Sequence, residues 1–159
     1  MSATHDQLIS RYEQGIETFA KALDGITPGV LDRAPAPGKW SIRQLAAHVA
    51  ESDMVGAVRM RFIAAEPGSP LKAYDQDVWA NSLYYNQQAL EQSLALFGGV
   101  RQATAAILRR LPEAAWNHVA MHEERGAVSL TEMLELITRH AEHHCQQIRH
   151  LRDQFASVA

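Results

Sequence analysis

Four stretches of this chain repeat their apolar residues every three or four positions, and none alternates apolar and polar residues as a half-buried strand does. In the first, Leu8, Tyr12, Ile16, Phe19, Leu23 and Ile26 share a face, and Gly25 and Pro28 of "GITPG" stop the run. A proline-rich connector, "RAPAPGKW", follows. The second stretch opens at Ser41, where "SIRQ" reads as a capping box: the Ser hydroxyl accepts from the Gln44 amide while the Gln side chain reaches back. It ends before "EPGSP". The third is marked by Leu90, Leu94, Phe97, Thr104, Leu108 and Leu111, and Leu111-Pro112 closes it. Gly98 and Gly99 inside it cost about 1 kcal/mol each relative to alanine. The apolar phase is kept across them, so the expectation is one continuous helix. The fourth opens at Ser129 with a second capping box, "SLTE", and runs to Phe155.

Helices over 5–25, 41–65, 86–111 and 129–155 specify an all-α four-helix bundle, expected to form a single domain over residues 1–159. The connections "AAEPGSPLKAYDQDVWANS" and "PEAAWNHVAMHEERGAV" are too long for simple turns, and loops of that length carry function or local structure. A short two-stranded ribbon is expected around "MHEERGAVS". The third helix and parts of the first keep apolar or small residues over a broad arc, which predicts a homodimer through helix faces.

Charge and cysteine usage narrow the function classes. A formal charge of −3 is the wrong sign for a nucleic-acid footprint, and Arg109, Arg110, Arg149 and Arg152 are scattered among acids. The single cysteine, Cys145, excludes an internal disulfide and fits a reducing compartment. No apolar run approaches the roughly 18 residues needed to span a bilayer. The opening "MSATHDQLISRYEQ" lacks the apolar core of a signal peptide. The expectation is a cytoplasmic protein with no membrane partner.

The segment "ITRHAEHHCQQIRHL" is the anomaly. At about 100° per residue, Met133, Ile137, Ile148, Leu151 and Phe155 fall within roughly 60° of one line. His140 and His144 lie in that same apolar stripe, one turn apart, where leucines are usual. His143 and His150 point away from it, and Cys145 stands about 100° off it. Neutral imidazoles suit borderline metals, and an i, i+4 pair can aim both rings at one ion. Spacing alone leaves ligands and hydrogen-bonded core histidines as equal readings, since each buried ring nitrogen needs a partner either way. The Zn-protease motif needs Glu after the first His, and Ala141 stands there. Di-iron bundles need Glu-x-x-His, and no Glu here has a His three residues on. One ion with mainly histidine ligands remains, the third coming from another helix. His48 of "KWSIRQLAAHVAESD" is a donor on the face of Gln44, Ser52 and Val55. "HVAMH" offers His118 and His122 as rivals, in a polar connector where solvent-exposed histidines are the commoner outcome. Glu51 and Asp53 stand nearby as an oxygen ligand or supporting partner, with surface acids the commoner outcome.

Trp-Ser-x-x-Gln-x-x-x-His at 40–48, Gly-x-Val-Ser-Leu at 126–130 and His-x-x-His-His-x-x-Gln-Ile at 140–148 together resemble the DinB/YfiT-like superfamily, in the same order and over nearly the full chain. The resemblance implies a four-helix bundle of unusual helix order with one divalent metal, zinc or nickel, held by His48, His140 and His144. It also implies a metal-dependent hydrolase, or a transferase joining a low-molecular-weight thiol such as bacillithiol, mycothiol or glutathione to a small electrophile. Three histidines leave an open ligand position where water or a thiol becomes a nucleophile. S-transfer is the reading favoured over hydrolysis, with a non-catalytic metal-binding or interaction bundle as the competing class. The expected partner is a small-molecule substrate. Glu51, Asp53 and His122 are the candidate catalytic residues, and Cys145 is expected to be a bystander.

Overall fold

The computed structural model describes residues 3–156. Four long helices make the bundle: α1 (Ala3–Leu23), α3 (Ile42–Ala65), α5 (Leu90–Leu108) and α6 (Leu130–Ala156). Between them lie α2 (Pro28–Leu31), β1 (Pro70–Leu71), α4 (Gln76–Ser82), two 3₁₀ turns (Tyr85–Gln87 and Glu113–Asn117), β2 (Val119–His122) and β3 (Gly126–Ser129). Both expected capping boxes form. The Ser41 hydroxyl accepts from the Gln44 amide at 3.3 Å and the Gln44 side chain accepts from the Ser41 amide at 3.0 Å. Ser129 and Glu132 reciprocate in the same way at 3.2 and 2.8 Å. The third helix is shorter than the expected 86–111. Tyr84 takes a left-handed backbone (φ 53°) and a 3₁₀ turn precedes Leu90, so the helix cannot start upstream of it. It runs through Gly98 and Gly99 without a break and stops at Leu108.

α1 and α3 each pack against α5 and α6, which puts α1 diagonal to α3 and α5 diagonal to α6. Two of the three links between successive long helices therefore cross the bundle, and crossing needs length. β2 and β3 lie in the crossing α5–α6 link, and with β1 from the α3–α5 link they build a small sheet of order β1-β2-β3. β2 and β3 are antiparallel, with His122 opposite Gly126, which closes the ribbon expected around residues 121–129. Gly126 holds φ +72°, the left-handed residue that ends a three-residue hairpin loop. The added strand is β1, which runs parallel to β2 and ties the first connector to the second.

The core is in two halves. One gathers Phe19, Leu45, Val49, Phe97, Ile148 and Leu151 among others; the other gathers Ile9, Met60, Ile63, Leu108, Trp116 and Met133. Between them runs a polar layer. Arg101 and Asp53, both with fully buried side chains, meet through two parallel bonds at 3.0 and 2.8 Å. Arg101 also donates to the Tyr12 carbonyl at 2.5 Å, and its guanidinium sits 4.3 and 4.2 Å from the Tyr12 and Phe97 ring centres. Gly15 makes room for it: a Cβ there would come within 1.9 Å of Arg101 Nη1. Gly56 does the same for the α3–α6 contact, where a Cβ would meet Ile137 Cγ1 at 2.5 Å.

Breaking this pair leaves a buried guanidinium uncompensated. Asp53→Ala is expected to lose about 3–5 kcal/mol of stability, measured by urea unfolding followed by helical dichroism. Asp53→Leu combined with Arg101→Met removes both charges and is expected to recover most of that loss. A single variant within about 1 kcal/mol of the parent contradicts the assignment.

Candidate metal centre

His48 sits two turns into α3, and His140 and His144 lie one turn apart on α6. The close α3–α6 approach at Gly56 brings them together. Each of the three offers one ring nitrogen to a group whose atoms all lie within 4.8 Å of one another. Nε2 of His48 and Nε2 of His140 stand 3.1 Å apart, and the ring centres are separated by 4.5–5.0 Å. An ion held about 2.0–2.1 Å from tetrahedrally arranged nitrogens sets those nitrogens about 3.3 Å apart, close to what this pair shows.

The rings are held neutral, as metal binding requires. Burial, reinforced by the neighbouring imidazoles, pushes the His48 pKa down to about 3. Burial with the charges of His144, His143 and Arg101 takes His140 down to about 4. Burial also lowers His144, while its bond to Gln147 opposes the shift. Two of the rings are oriented through Nδ1. His144 Nδ1 meets Gln147 Oε1 at 2.9 Å, and His48 Nδ1 lies 3.4 Å from Ser52 Oγ, which meets Tyr74 Oη at 2.6 Å. His140 Nδ1 is buried with no hydrogen-bond partner among the described residues. Trp40 covers the His48 ring, centre to centre 4.9 Å. These residues fit a divalent ion in donor type, spacing and protonation state.

The other candidates fall elsewhere. Asp53 is not the surface acid expected: it is fully buried, because both its oxygens accept from Arg101. Glu51 is half-buried with its carboxyl pKa raised by burial, and among the described residues it joins no metal-holding group. Cys145 is buried in the core and its thiol is pushed up to about 11, so it is no nucleophile at neutral pH. His143 is exposed. His118 is half-buried, its Nδ1 3.1 Å from the Ala64 carbonyl. The exposure expected of His122 is wrong. β2 alternates exposed and buried positions, and His122 takes an inward one beside Ala120. It does not join the three-histidine group, but it lines a cavity with His140.

Two cavities reach the cluster. One, of about 110 Å³, has His140, Ser52, Tyr74, Arg59, His122 and Arg125 in its wall. The other, of about 280 Å³, lies at His144 and Gln147 against Trp40, Lys39 and Asp77. Tyr74, Arg59 and Arg125 carry no sequence signal that separates them from ordinary surface residues, whereas Gln147 is the glutamine of the motif at 140–148. Ser52 carries one too, because it shares the helical face of His48.

A candidate metal-dependent hydrolase of Oceanobacillus iheyensis is 29% identical over 121 residues, covering 76% of this chain and 70% of that protein. YfiT of Bacillus subtilis is 25% identical over 147 residues, covering 92% of this chain and 83% of YfiT. Its solved structure, described as "a probable metal-dependent hydrolase with an unusual four-helix bundle topology", superposes with a TM-score of 0.90 at 24% identity over 98% of this chain and 90% of that one. A mycothiol-dependent maleylpyruvate isomerase shares the fold at a TM-score of 0.72 and 17% identity, covering 93% of this chain and 63% of that one. The diagonal helix order is thus that of a known bundle, and residues 11–148, which include every residue of the histidine cluster, match the DinB superfamily, to which this chain belongs.

Proposed function

We propose that this protein is a mononuclear metal-dependent enzyme that joins a low-molecular-weight thiol to a small electrophile. The observation that carries this reading is the pair of cavities flanking three gathered histidines, one at His140 and one at His144. A two-reactant transfer uses two such approaches. Hydrolysis is the second reading, favoured by the names of the relatives.

His48, His140 and His144 are the ligand set we assign, for zinc or nickel. A divalent ion there supplies a Lewis acid that makes a thiol or water nucleophilic near neutral pH. The protein's own contribution is to keep three rings neutral and aimed. Ser52 orients His48 and Gln147 orients His144, each by taking the Nδ1 proton so that Nε2 keeps its lone pair. Trp40 and the apolar core limit water on the bundle side. In the transfer a carbon–sulfur bond forms as the electrophile's leaving group departs, and the thiol proton passes to solvent.

Bound metal per chain tests the ligand set. His48→Ala, His140→Ala and His144→Ala are each expected to lose most of it, and His118→Ala, His122→Ala and His143→Ala to keep it. Ser52→Ala is expected to weaken metal affinity about tenfold. Retention of metal by His48→Ala with loss in His122→Ala would move the third arm to the hairpin.

The pH dependence follows from the depressed imidazole pKa values. Protons compete for the ligands only where the folded, metal-free rings titrate, and these lie below the ordinary histidine value of about 6.5. Metal affinity is expected to hold level from pH 8 through about 6.5 and then to fall through about 4, where His140 titrates. A fall centred at the ordinary histidine value, in a competition titration with a chromophoric chelator, contradicts it.

Activity separates the readings directly. Glutathione, mycothiol and bacillithiol are each mixed with chlorodinitrobenzene and the conjugate followed with metal-loaded and metal-stripped protein. Metal-dependent conjugation with one thiol supports transfer. Ester hydrolysis without any thiol supports the second reading. Neither activity, with metal bound, leaves a non-catalytic metal-binding bundle.

A further inference from the structure

The cavity at His140 has an apolar side and a polar side, and the polar side is rich in hydrogen-bond donors. Arg59 projects from α3, half-buried; one Nη donates to the Lys72 carbonyl, and its Nε is buried with no partner among the described residues. A guanidinium has five N–H donors and no acceptor, so one bond leaves most of its capacity open. His122 accepts the Glu124 amide at Nδ1 (3.2 Å), which puts the ring proton on Nε2 as a donor. Arg125, on the hairpin turn, adds a second cation in the wall. Neither guanidinium is in an ion pair among the described residues.

Tyr74 completes the set. If His48 presents Nε2 to the cluster, its Nδ1–H points to Ser52 Oγ, and the Ser52 proton goes to Tyr74 Oη. The Tyr74 O–H is then left over as a donor in the cavity wall. The acceptors that line the cavity, Glu124 and Gln76, belong to exposed residues at its rim. Burial, then Arg59 and Arg125, hold His122 below the usual histidine range, and the carboxylates of Glu124 and Glu123 oppose them without reversing the shift. Leu136 and Ile137 give the cavity an apolar side where a short carbon chain would lie.

We infer that this cavity seats the anionic group of a small acid, held by Arg59 with Arg125, His122 and Tyr74, so that the acid's reactive carbon is presented at His140. The inference rests on the reading of the three histidines as the reacting centre and names the substrate class of that centre. A carboxylate and a phosphate share the chemistry that these donors recognise, and the volume of about 110 Å³ suits either group on a short chain.

The test is isothermal titration of butyrate, inorganic phosphate and uncharged butyramide into the protein, Arg59→Gln and Arg125→Gln, with metal per chain measured on the same samples. Butyrate or phosphate is expected to bind and butyramide not to, and whichever anion binds identifies the acid as carboxylic or phosphoric. Arg59→Gln is expected to weaken anion binding about tenfold or more, and the exposed Arg125→Gln about threefold, both at unchanged metal content. Equal binding of butyramide and butyrate overturns the inference, as does anion binding that neither variant alters, or no anion binding at all. Arg59-dependent anion binding in a protein that takes up no metal upholds the anion seat and rejects the metal centre, so the two readings fail separately.

Discussion

The buried pair of Arg101 and Asp53 is the contact on which the arrangement of the bundle depends. It joins α5 to α3 by two parallel bonds and reaches α1 through the Tyr12 carbonyl, so one guanidinium holds three helices. An apolar seam tolerates sliding, because one leucine replaces another; a charged pair does not, because a slip of one turn, about 5.4 Å, would leave two desolvated charges apart. The height of α3 is thereby fixed, and with it His48, five residues before Asp53. The same guanidinium adds, after burial and the neighbouring His144 and His143, to the lowering of the His140 pKa on α6. Scaffold and site are thus in one polar layer, and the histidines inherit their position from a pair that takes no part in the chemistry.

What could be read from the sequence, and what could not, divides along the range of the interactions. Ser41 with Gln44 and Ser129 with Glu132 act over three residues, and both capping boxes form where the letters place them. His140 and His144 betray themselves because a polar residue in an apolar stripe is a local contradiction. Arg101 and Asp53 are 48 residues apart, and nothing near either says that its partner is a buried charge. Gly15 and Gly56 look like weak points in a helix until the neighbour that fills their space is known. The burial of His122 is not legible because the four residues of β2 are too short for alternation to stand out from a polar loop. The two residues of β1 give no signal at all, since a strand of that length exists only by pairing.

The division of labour follows from the same geometry. Helices supply the three gathered histidines, whose relative placement tolerates little error. Connectors supply Tyr74, His122 and Arg125, and α3 supplies Arg59, so the cavity is walled on one side by the rigid bundle and on the other by the sheet and its turn. Ser52 stands at the joint, touching His48 on one side and Tyr74 on the other. A change in what occupies the cavity can therefore be felt at a ring nitrogen of the cluster through two hydrogen bonds.

The parallel pairing of β1 with β2 has a kinetic consequence. Pro70 meets Met121 and Leu71 meets His122 across about fifty residues of chain, and parallel strands gain nothing until that loop is closed. α3 and α5 must already stand in place before the two connectors can find each other. The pairing of β1 with β2 is therefore expected to form later in folding than the β2–β3 hairpin, which closes over three residues. Leu71, Ala120 and Val128 then seat the sheet in the same buried core as Ile9, Met60 and Met133, so the wall carrying His122 and Arg125 is fastened to the bundle by side chains that meet only once the chain has closed.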